Sequence, residues 1–131
     1  MKDLTKKLLT VQALAPVVAD DTVTSTAIDM NGANSLLICF ECGIPGDTLS
    51  ATVKFTPSLT ESDNNSDYTA VDSGDIVGTL AAVASGTAAS RQVVGYKGSK
   101  RYVKAVITAA GTHTNGTPWS VTAVKGDLQL M

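Results

Sequence analysis

The feature that most constrains this chain is the stretch at residues 91–108, RQVVGYKGSKRYVKAVIT. Two runs of β-branched and aromatic residues flank the short polar sequence KGSK, which is the pattern of two strands around a turn. Gly98 supplies the freedom to adopt the positive φ that a short turn needs, so the stretch predicts a β-hairpin. The hairpin would present Lys97, Lys100 and Arg101 at its tip.

Composition limits the size and class of the fold. The 131 residues suit one domain, and 44% apolar with only 17% charged residues is unlike a disordered chain. Aromatic residues make up 5%, so we expect a thin core built mainly from aliphatic side chains. A net charge of −2 argues against nucleic-acid binding, which usually needs a basic excess.

The N-terminal region lacks the features of a targeting signal. The apolar run that follows Lys6 and Lys7 is interrupted at Thr10, too soon for a secretory signal peptide, and no run is long enough to span a membrane. The sequence therefore predicts synthesis in the cytoplasm and no membrane contact. In that reducing compartment, Cys39 and Cys42 are expected to remain free thiols.

Further extended segments recur along the chain at intervals of roughly ten residues. They are predicted at residues 22–30, 35–42, 49–56 and 119–124, with turns at Asn31-Gly32 and Asn115-Gly116. Segment 35–42 is almost continuously apolar, so we expect either a strand covered on both faces or a central strand of a sandwich. The pattern predicts an all-β fold, a single-domain antiparallel β-sandwich or barrel of jelly-roll-like type.

Three regions are less regular. Residues 1–19 form either an N-terminal arm or a first element ahead of the β domain at residues 20–131, and their apolar spacing fits both a short helix ending before Pro16 and a strand. Residues 75–90 are rich in Gly and Ala, and fit both a short helix and an irregular excursion. The polar run TESDNNSD at residues 60–67 is expected to be an exposed loop.

Few residues offer chemistry. The sequence CFEC at residues 39–42 has C-x-x-C spacing, but residues three apart on a strand point to opposite faces, so the two thiols should not converge. Asp63, Asn65 and Asp67 have the spacing that opens a calcium loop, but the glycine and the glutamate that such a loop requires further on are missing. His113 has no nucleophile context and is expected to be a solvated loop residue. We therefore expect no enzyme, no metal and no cofactor, with the three loop residues as the only calcium candidate.

Three segments together resemble a known family. ESDN at residues 61–64 with YTAV at 68–71 is similar to the pattern "ESDDG…(Y/F)T.V", and DIVG at 75–78 is similar to an acidic-aliphatic-glycine step. VGYKGSKRYVK at 94–104 resembles "GY.G.KRYV(R/K)". In this order and spacing, the patterns are those of small structural proteins of tailed bacteriophages and prophages, encoded among head genes. The likeness spans about residues 36–125 and departs at Asn64-Asn65, where the family often has Asp-Gly.

The resemblance implies a non-enzymatic virion component, a decoration or cement protein on the capsid surface. Its implied partner is the major capsid protein, and its implied state is a homo-oligomer, taken to be a trimer. A neck or tail component and a host-glycan-binding adhesion module are the alternatives.

The cluster at the tip of the predicted hairpin is either a contact patch, since Arg and Tyr are common interface anchors, or a solvated turn. The N-terminal apolar residues are the other candidates for contact. Residues expected to touch the capsid or a neighbouring subunit are Leu4, Leu8, Leu9, Val11, Tyr96, Lys97, Lys100, Arg101 and Tyr102.

Overall fold

Ten β-strands form two antiparallel sheets in the computed structural model, which describes residues 7–85 and 88–128. In chain order the strands are β1 (Leu9–Ala19), β2 (Val23–Thr24), β3 (Ile28–Asp29), β4 (Ala33–Cys42), β5 (Lys54–Ser62), β6 (Thr69–Ala70), β7 (Ile76–Val77), β8 (Ser90–Tyr96), β9 (Tyr102–Ala110) and β10 (Thr117–Leu128). A 3-10 turn at Ser73–Asp75 precedes β7.

The two sheets pack face to face as a β-sandwich, which confirms the predicted all-β antiparallel fold. Sheet A has the order β1-β10-β4-β8-β7, and sheet B has the order β2-β9-β5-β6 with β3 also paired to β9. Within the described ranges, the edge strands of sheet A, β1 and β7, do not pair with any strand of sheet B. The fold is therefore a sandwich and not a closed barrel.

One hydrophobic core fills the space between the sheets. Its largest side chains are Trp119, Phe40 and Phe55, and the rings of Phe55 and Trp119 meet edge-on with centroids 5.7 Å apart. The other buried side chains are mostly aliphatic, as the composition predicts. Offset aromatic contacts of this kind add to the stabilisation that burial alone provides.

The predicted hairpin at residues 91–108 is wrong, although both of its strands exist. β8 pairs with β4 in sheet A, whereas β9 pairs with β5 in sheet B. Residues 97–101 therefore cross from one sheet to the other, and we call them the crossing loop. A local pattern of strand, turn and strand predicts extended chain and a change of direction. It does not say whether the two strands pair or face each other across a core.

The strand predicted at residues 49–56 begins later than expected. The Ser50 hydroxyl accepts the Val53 N–H at 3.2 Å, and the Ser50 N–H donates to the Val53 carbonyl at 2.8 Å, which closes a turn. Side-chain bonds of this type compete with strand pairing. β5 consequently starts at Lys54 and continues to Ser62, into the polar run that was expected to be a loop.

The predicted turn at Asn31-Gly32 is confirmed, and the Ala33 N–H donates to the Met30 carbonyl at 3.1 Å to close it, whereas Asn115-Gly116 lies in a bend whose N–H groups donate to the Asp47 carboxylate. Gly32 and Gly116 have φ values of +85° and +79°, in the left-handed region that favours glycine. The strand predicted at residues 22–30 is divided into β2 and β3. Between them, the Ser25 hydroxyl accepts the Ala105 N–H at 2.9 Å and so replaces a bond of the ladder.

The residues at 9–19 form an edge strand of the domain and not a helix. β1 pairs with β10 from Leu9 to Ala19, with irregularities on either side of Leu14. Ala13 is buried, and its carbonyl accepts the Thr26 N–H at 2.9 Å. Of the two alternatives for the region, its described part is thus a first strand docked on its own domain.

β4 lies in the middle of sheet A but is covered on one face only. Its inward residues are buried, whereas Leu37 and Glu41 on the other face are exposed. Of the two alternatives for this strand, the central strand of a sandwich is confirmed, whereas coverage on both faces is not, because the outward residues of β4 remain exposed or half-exposed.

The region at residues 75–90 contains β7 and otherwise irregular chain in its described part. Val83 forms an isolated bridge with Phe55, with N–H···O distances of 2.7 and 3.2 Å in the two directions. The segment is therefore tied to sheet B by one bridge, and the helix that the sequence also allowed does not form there.

Candidate functional site

One end of the sandwich gathers most of the residues that were predicted to make contacts. A row of paired residues runs across sheet A from Leu9 through Lys125 and Leu36 to Tyr96. Lys125 extends its amine to the backbone carbonyl of Asp29 in sheet B at 3.0 Å. The start of β1 and the crossing loop, distant in sequence, therefore share this end. We call Leu8, Leu9 and residues 97–102 the contact end.

Tyr96 anchors the crossing loop from inside the core. Its side chain is buried, and its hydroxyl donates to the Glu61 carboxylate at 2.8 Å and accepts the Lys100 N–H at 3.2 Å. Burial of the ring is the main cause that raises the pKa of Tyr96, and the hydrogen bond to Glu61 is the second. The phenol is therefore neutral. Tyr96 was predicted as a surface contact, but it shapes the loop from below.

Gly98 is required for a different reason from the one predicted. Gly98 is not among the residues with positive φ. A Cβ at this position would instead collide with the ring and hydroxyl of Tyr96. The loop thus passes so close over the tyrosine that only a residue without a side chain fits.

Two ion pairs hold the crossing loop to sheet B and its neighbouring loop. Arg101 binds Asp29 through two bonds, Nε to Oδ1 at 3.0 Å and Nη2 to Oδ2 at 3.1 Å, and Lys100 Nζ lies 2.8 Å from Asp63 Oδ2. The Arg101 guanidinium lowers the pKa of Asp29, and the Asp63 carboxylate raises the pKa of Lys100. All four groups face solvent, so the pairs contribute little stability and mainly define the position of the loop.

Two half-exposed tyrosines, Tyr102 at the start of β9 and Tyr68 just before β6, each lie beneath a cation. The Arg101 guanidinium is 5.0 Å from the ring centroid of Tyr102, and the Lys104 amine is 4.4 Å from that of Tyr68. A cation over an aromatic face is attracted by its quadrupole. One face of each ring is therefore already occupied by the protein itself.

The structure places the remaining predicted contact residues unequally. Lys97 is exposed and has no ion-pair partner in the described part of the chain, while Leu8 and Leu9 are 38% and 49% exposed. Val11 is half-buried and packs against the core, and Leu4 lies outside the described residues. Exposed apolar and cationic side chains thus lie at the same end.

An open groove of about 430 Å³ also lies at this end. Residues 30–34 form one wall, residues 98–101 form the other, and Asp63 completes its lining. The groove gives the contact end a concave element between the two ion pairs.

The residues that were proposed for calcium do not converge. Asp63 binds Lys100, the Asn65 side-chain oxygen accepts the Tyr68 hydroxyl, and Asp67 accepts an N–H from the side chain of Asn64. Among the residues that the structure describes, no group of three or more His, Cys, Asp or Glu residues is arranged to hold a metal ion. The spacing here reflects a hydrogen-bonded loop.

The two cysteines lie on opposite faces of β4, as predicted, and both are free. Cys42 is buried and its thiol lies 3.3 Å from the Gly43 carbonyl, whereas Cys39 is on the outer face with its thiol 3.6 Å from the Glu41 carboxylate. Burial raises the pKa of both thiols, which disfavours the thiolate that redox or nucleophilic chemistry requires.

His113 is a core residue, and the expectation of a solvated loop histidine is wrong. Its ring lies against Phe55 with centroids 4.4 Å apart, and its Nε2 is 2.9 Å from the Ala110 carbonyl oxygen. The side chain is buried because the loop that carries it folds over the end of the core. The neighbours of His113 in the sequence are polar loop residues, so the sequence did not indicate that its ring packs in the core.

Sequence reasoning missed a second surface, the outer face of sheet A. Leu37, Val77 and Val93 lie on this face and are 42%, 58% and 47% exposed. The available signal was the apolar character of both alternating sets in β4. That character fits both a strand covered on two faces and a central strand of a sandwich, and the structure leaves one set open.

No family model matches the sequence, and no curated protein matches it. One similar solved structure is that of the SPBc2 prophage-derived protein YomS. The two sequences are 12% identical, the match covers 90% of this chain and 91% of that chain, and the TM-score is 0.46. Another is the CBM22-1 xylan-binding domain of Paenibacillus barcinonensis Xyn10C, with 8% identity over 97% and 89% of the two chains and a TM-score of 0.46. A third is TmCBM61 in complex with β-1,4-galactotriose, with 10% identity over 94% and 84% and a TM-score of 0.45. Likeness this distant carries no argument about what the present chain binds.

None of the described segments is a helix long and apolar enough to cross a membrane.

Proposed function

We propose that this chain is a non-enzymatic structural protein of a phage virion, which binds the capsid surface as a decoration protein. The observation that carries the proposal is the contact end. Residues of the phage-like segment GYKGSKRYVK and the start of β1 lie at the same end of the sandwich, and Tyr96 and the two ion pairs hold the loop in place. A surface that is ordered before its partner arrives loses less entropy on binding.

The chemistry of the contact end defines the partner surface. Lys97 is a cation without a carboxylate partner among the described residues, and Leu8 and Leu9 are exposed apolar side chains nearby. The complementary surface on the major capsid protein would offer an acidic group and an apolar depression, the usual rim and centre of a specific interface.

The geometry supports binding better than catalysis. In the described ranges, His113 is packed in the core and both thiols have raised pKa values. The carboxylates next to the crossing loop are also engaged, Asp29 and Asp63 by cations and Glu61 by the Tyr96 hydroxyl. Catalysis needs an acid, a base or a nucleophile positioned around a site for substrate.

The adhesion alternative needs exposed aromatic rings for a sugar. Trp119 is buried in the core, and Tyr68 and Tyr102 are only half-exposed with one face of each ring occupied by a cation.

The direct test is co-sedimentation with undecorated heads of the phage that encodes the chain. We expect the wild type to pellet with heads and Lys97→Glu to remain largely in the supernatant. Lys54→Glu is the matched control, because Lys54 lies at the opposite end of β5 from Ser62 and the contact end.

Failure of the wild type to pellet with heads would overturn the decoration proposal. Location of the chain at the neck or tail in a map of the virion would replace it with the alternative structural role. Binding to a host glycan, with no binding to heads, would favour the adhesion module.

A further inference from the structure

The outer face of sheet A carries two adjacent rows of residues that contain no charge. The rows follow from the strand pairing and cross the middle of the sheet. The first is Thr10, Val124, Leu37, Gly95 and Val77, and the second is Gln12, Thr122, Cys39 and Val93. An uncharged sheet face with several exposed aliphatic side chains is a typical contact surface and is costly to leave in water.

Large and small side chains alternate on this face along the two central strands, β4 and β8. On β8 the exposed Val93 stands two residues from Gly95, which has no side chain. On β4 the exposed Leu37 stands two residues from the smaller Cys39. A hollow of about 500 Å³ lies beside these projections, and Gly95, Leu37, Val77 and Val124 are among the residues that line it.

This alternation is complementary to itself. A two-fold axis lying in the face, across the strands and at the level of the paired residues Ile38 and Val94, exchanges the two rows. It places Val93 of each copy over Gly95 of the other, and Leu37 of each copy over Cys39 of the other. We propose that the outer face of sheet A binds the same face of a second copy of this chain in this arrangement. Such an interface is isologous, so each contact is made twice.

The area is sufficient for a stable pair. β7 contributes only Val77 to the face, so four long strands about 4.8 Å apart and four rows of outward side chains about 7 Å apart cover roughly 20 by 28 Å. Two such faces, packed about 10 Å apart with strands aligned within about 30°, would bury about 1,100 Å² in total, which clears the roughly 1,000 Å² expected of a specific interface.

The charged residues lie at the ends of the rows and not at the centre of the face. Glu41 lies beside Arg91 at one end of the rows, and Lys97 lines the hollow at the other end. By the same axis, Lys97 of the second copy lies directly opposite Arg91 and diagonally opposite Glu41, so each rim holds two facing cations with one carboxylate beside them. This two-fold pair differs from the trimer that the family resemblance implies, and it does not depend on the proposed function.

The test is the mass of the full chain by size-exclusion chromatography with light scattering, at up to about 100 µM, a range that detects micromolar association. We expect twice the chain mass of 13.5 kDa. Val93→Glu should give the monomer, because it buries a charge at the centre of the interface. Val18→Glu is the matched control and should stay dimeric, since Val18 is an exposed apolar residue of sheet A outside the two rows.

A mixing experiment tests the symmetry itself. Gly95→Lys should also be monomeric, but an equimolar mixture of Val93→Glu and Gly95→Lys should recover the mass of two chains, because the new carboxylate meets the new amine. Thermal melts of each variant establish that it is folded. A monomeric or trimeric wild type, a Val93→Glu variant that remains dimeric, or a mixture of folded variants that stays monomeric would each overturn the proposal.

Discussion

At the scale of single residues, Tyr96 joins the core to the contact end. Its hydroxyl both donates to Glu61 and accepts from the backbone of the crossing loop. We expect Tyr96→Phe to lower the free energy of unfolding by about 1–2 kcal/mol, because it removes two bonds and leaves Glu61 without its donor. Urea denaturation measures the change. Tyr102→Phe is the control, since no hydrogen bond of its hydroxyl is found among the described residues. Equal losses in the two variants would contradict this role for Tyr96.

Asp47 makes a residue-scale prediction about pH. Its carboxylate accepts the backbone N–H groups of Asn115 at 3.1 Å and Gly116 at 3.0 Å, and these bonds lower its pKa below the ordinary 3.8. A lowered pKa in the folded state stabilises the fold at pH above 3.8, and this stabilisation is lost as the folded carboxyl is protonated at lower pH.

Asp47→Asn should therefore be less stable than the wild type at neutral pH, and the difference should shrink below pH 3.8. Chemical denaturation at a series of pH values measures it. Asp20→Asn is the control, because Asp20 is exposed and none of its side-chain hydrogen bonds is found in the described part of the chain. A constant difference across the acid range would show that the carboxylate charge is not involved.

At the scale of the element, β1 decides how the N-terminal region behaves. Deletion of residues 1–14 removes the partner of β10 over half its length and the buried Ala13. We expect the free energy of unfolding to fall by at least about 5 kcal/mol, the lower limit of typical total stability. Loss of a cooperative thermal transition would report this. Deletion of residues 1–6 is the control, because it leaves every described contact in place. If the variant without residues 1–14 were as stable as the wild type, β1 would be a dispensable arm.

The elements themselves were predictable to different extents. The strand character of residues 35–42, 91–96 and 102–108 was visible in the spacing of β-branched and aromatic residues. The start of β5 was not, because the alternation at residues 49–56 is equally compatible with a strand and with the Ser50 turn. Side-chain bonds of one serine decided between them.

At the scale of the whole molecule, the decoration proposal predicts an effect on heads. A protein that binds assembled heads and not free subunits shifts the equilibrium towards the assembled state. Saturating wild-type chain should therefore raise the temperature at which heads release DNA, measured by dye access. Lys97→Glu should lose this gain and Lys54→Glu should keep it. If heads saturated with the wild-type chain released their DNA at the same temperature as bare heads, the chain would bind heads without stabilising them.

The sequence by itself determined that the chain is extended, builds an aliphatic core and carries a basic loop around Gly98. These are local properties, set by neighbours a few residues apart. Only the tertiary structure decided that β8 and β9 belong to different sheets, that Tyr96 and His113 are buried, and that one face of β4 stays open. Strand pairing depends on segments far apart in the chain. The most stable pairing is the one that buries the most apolar surface over all strands together.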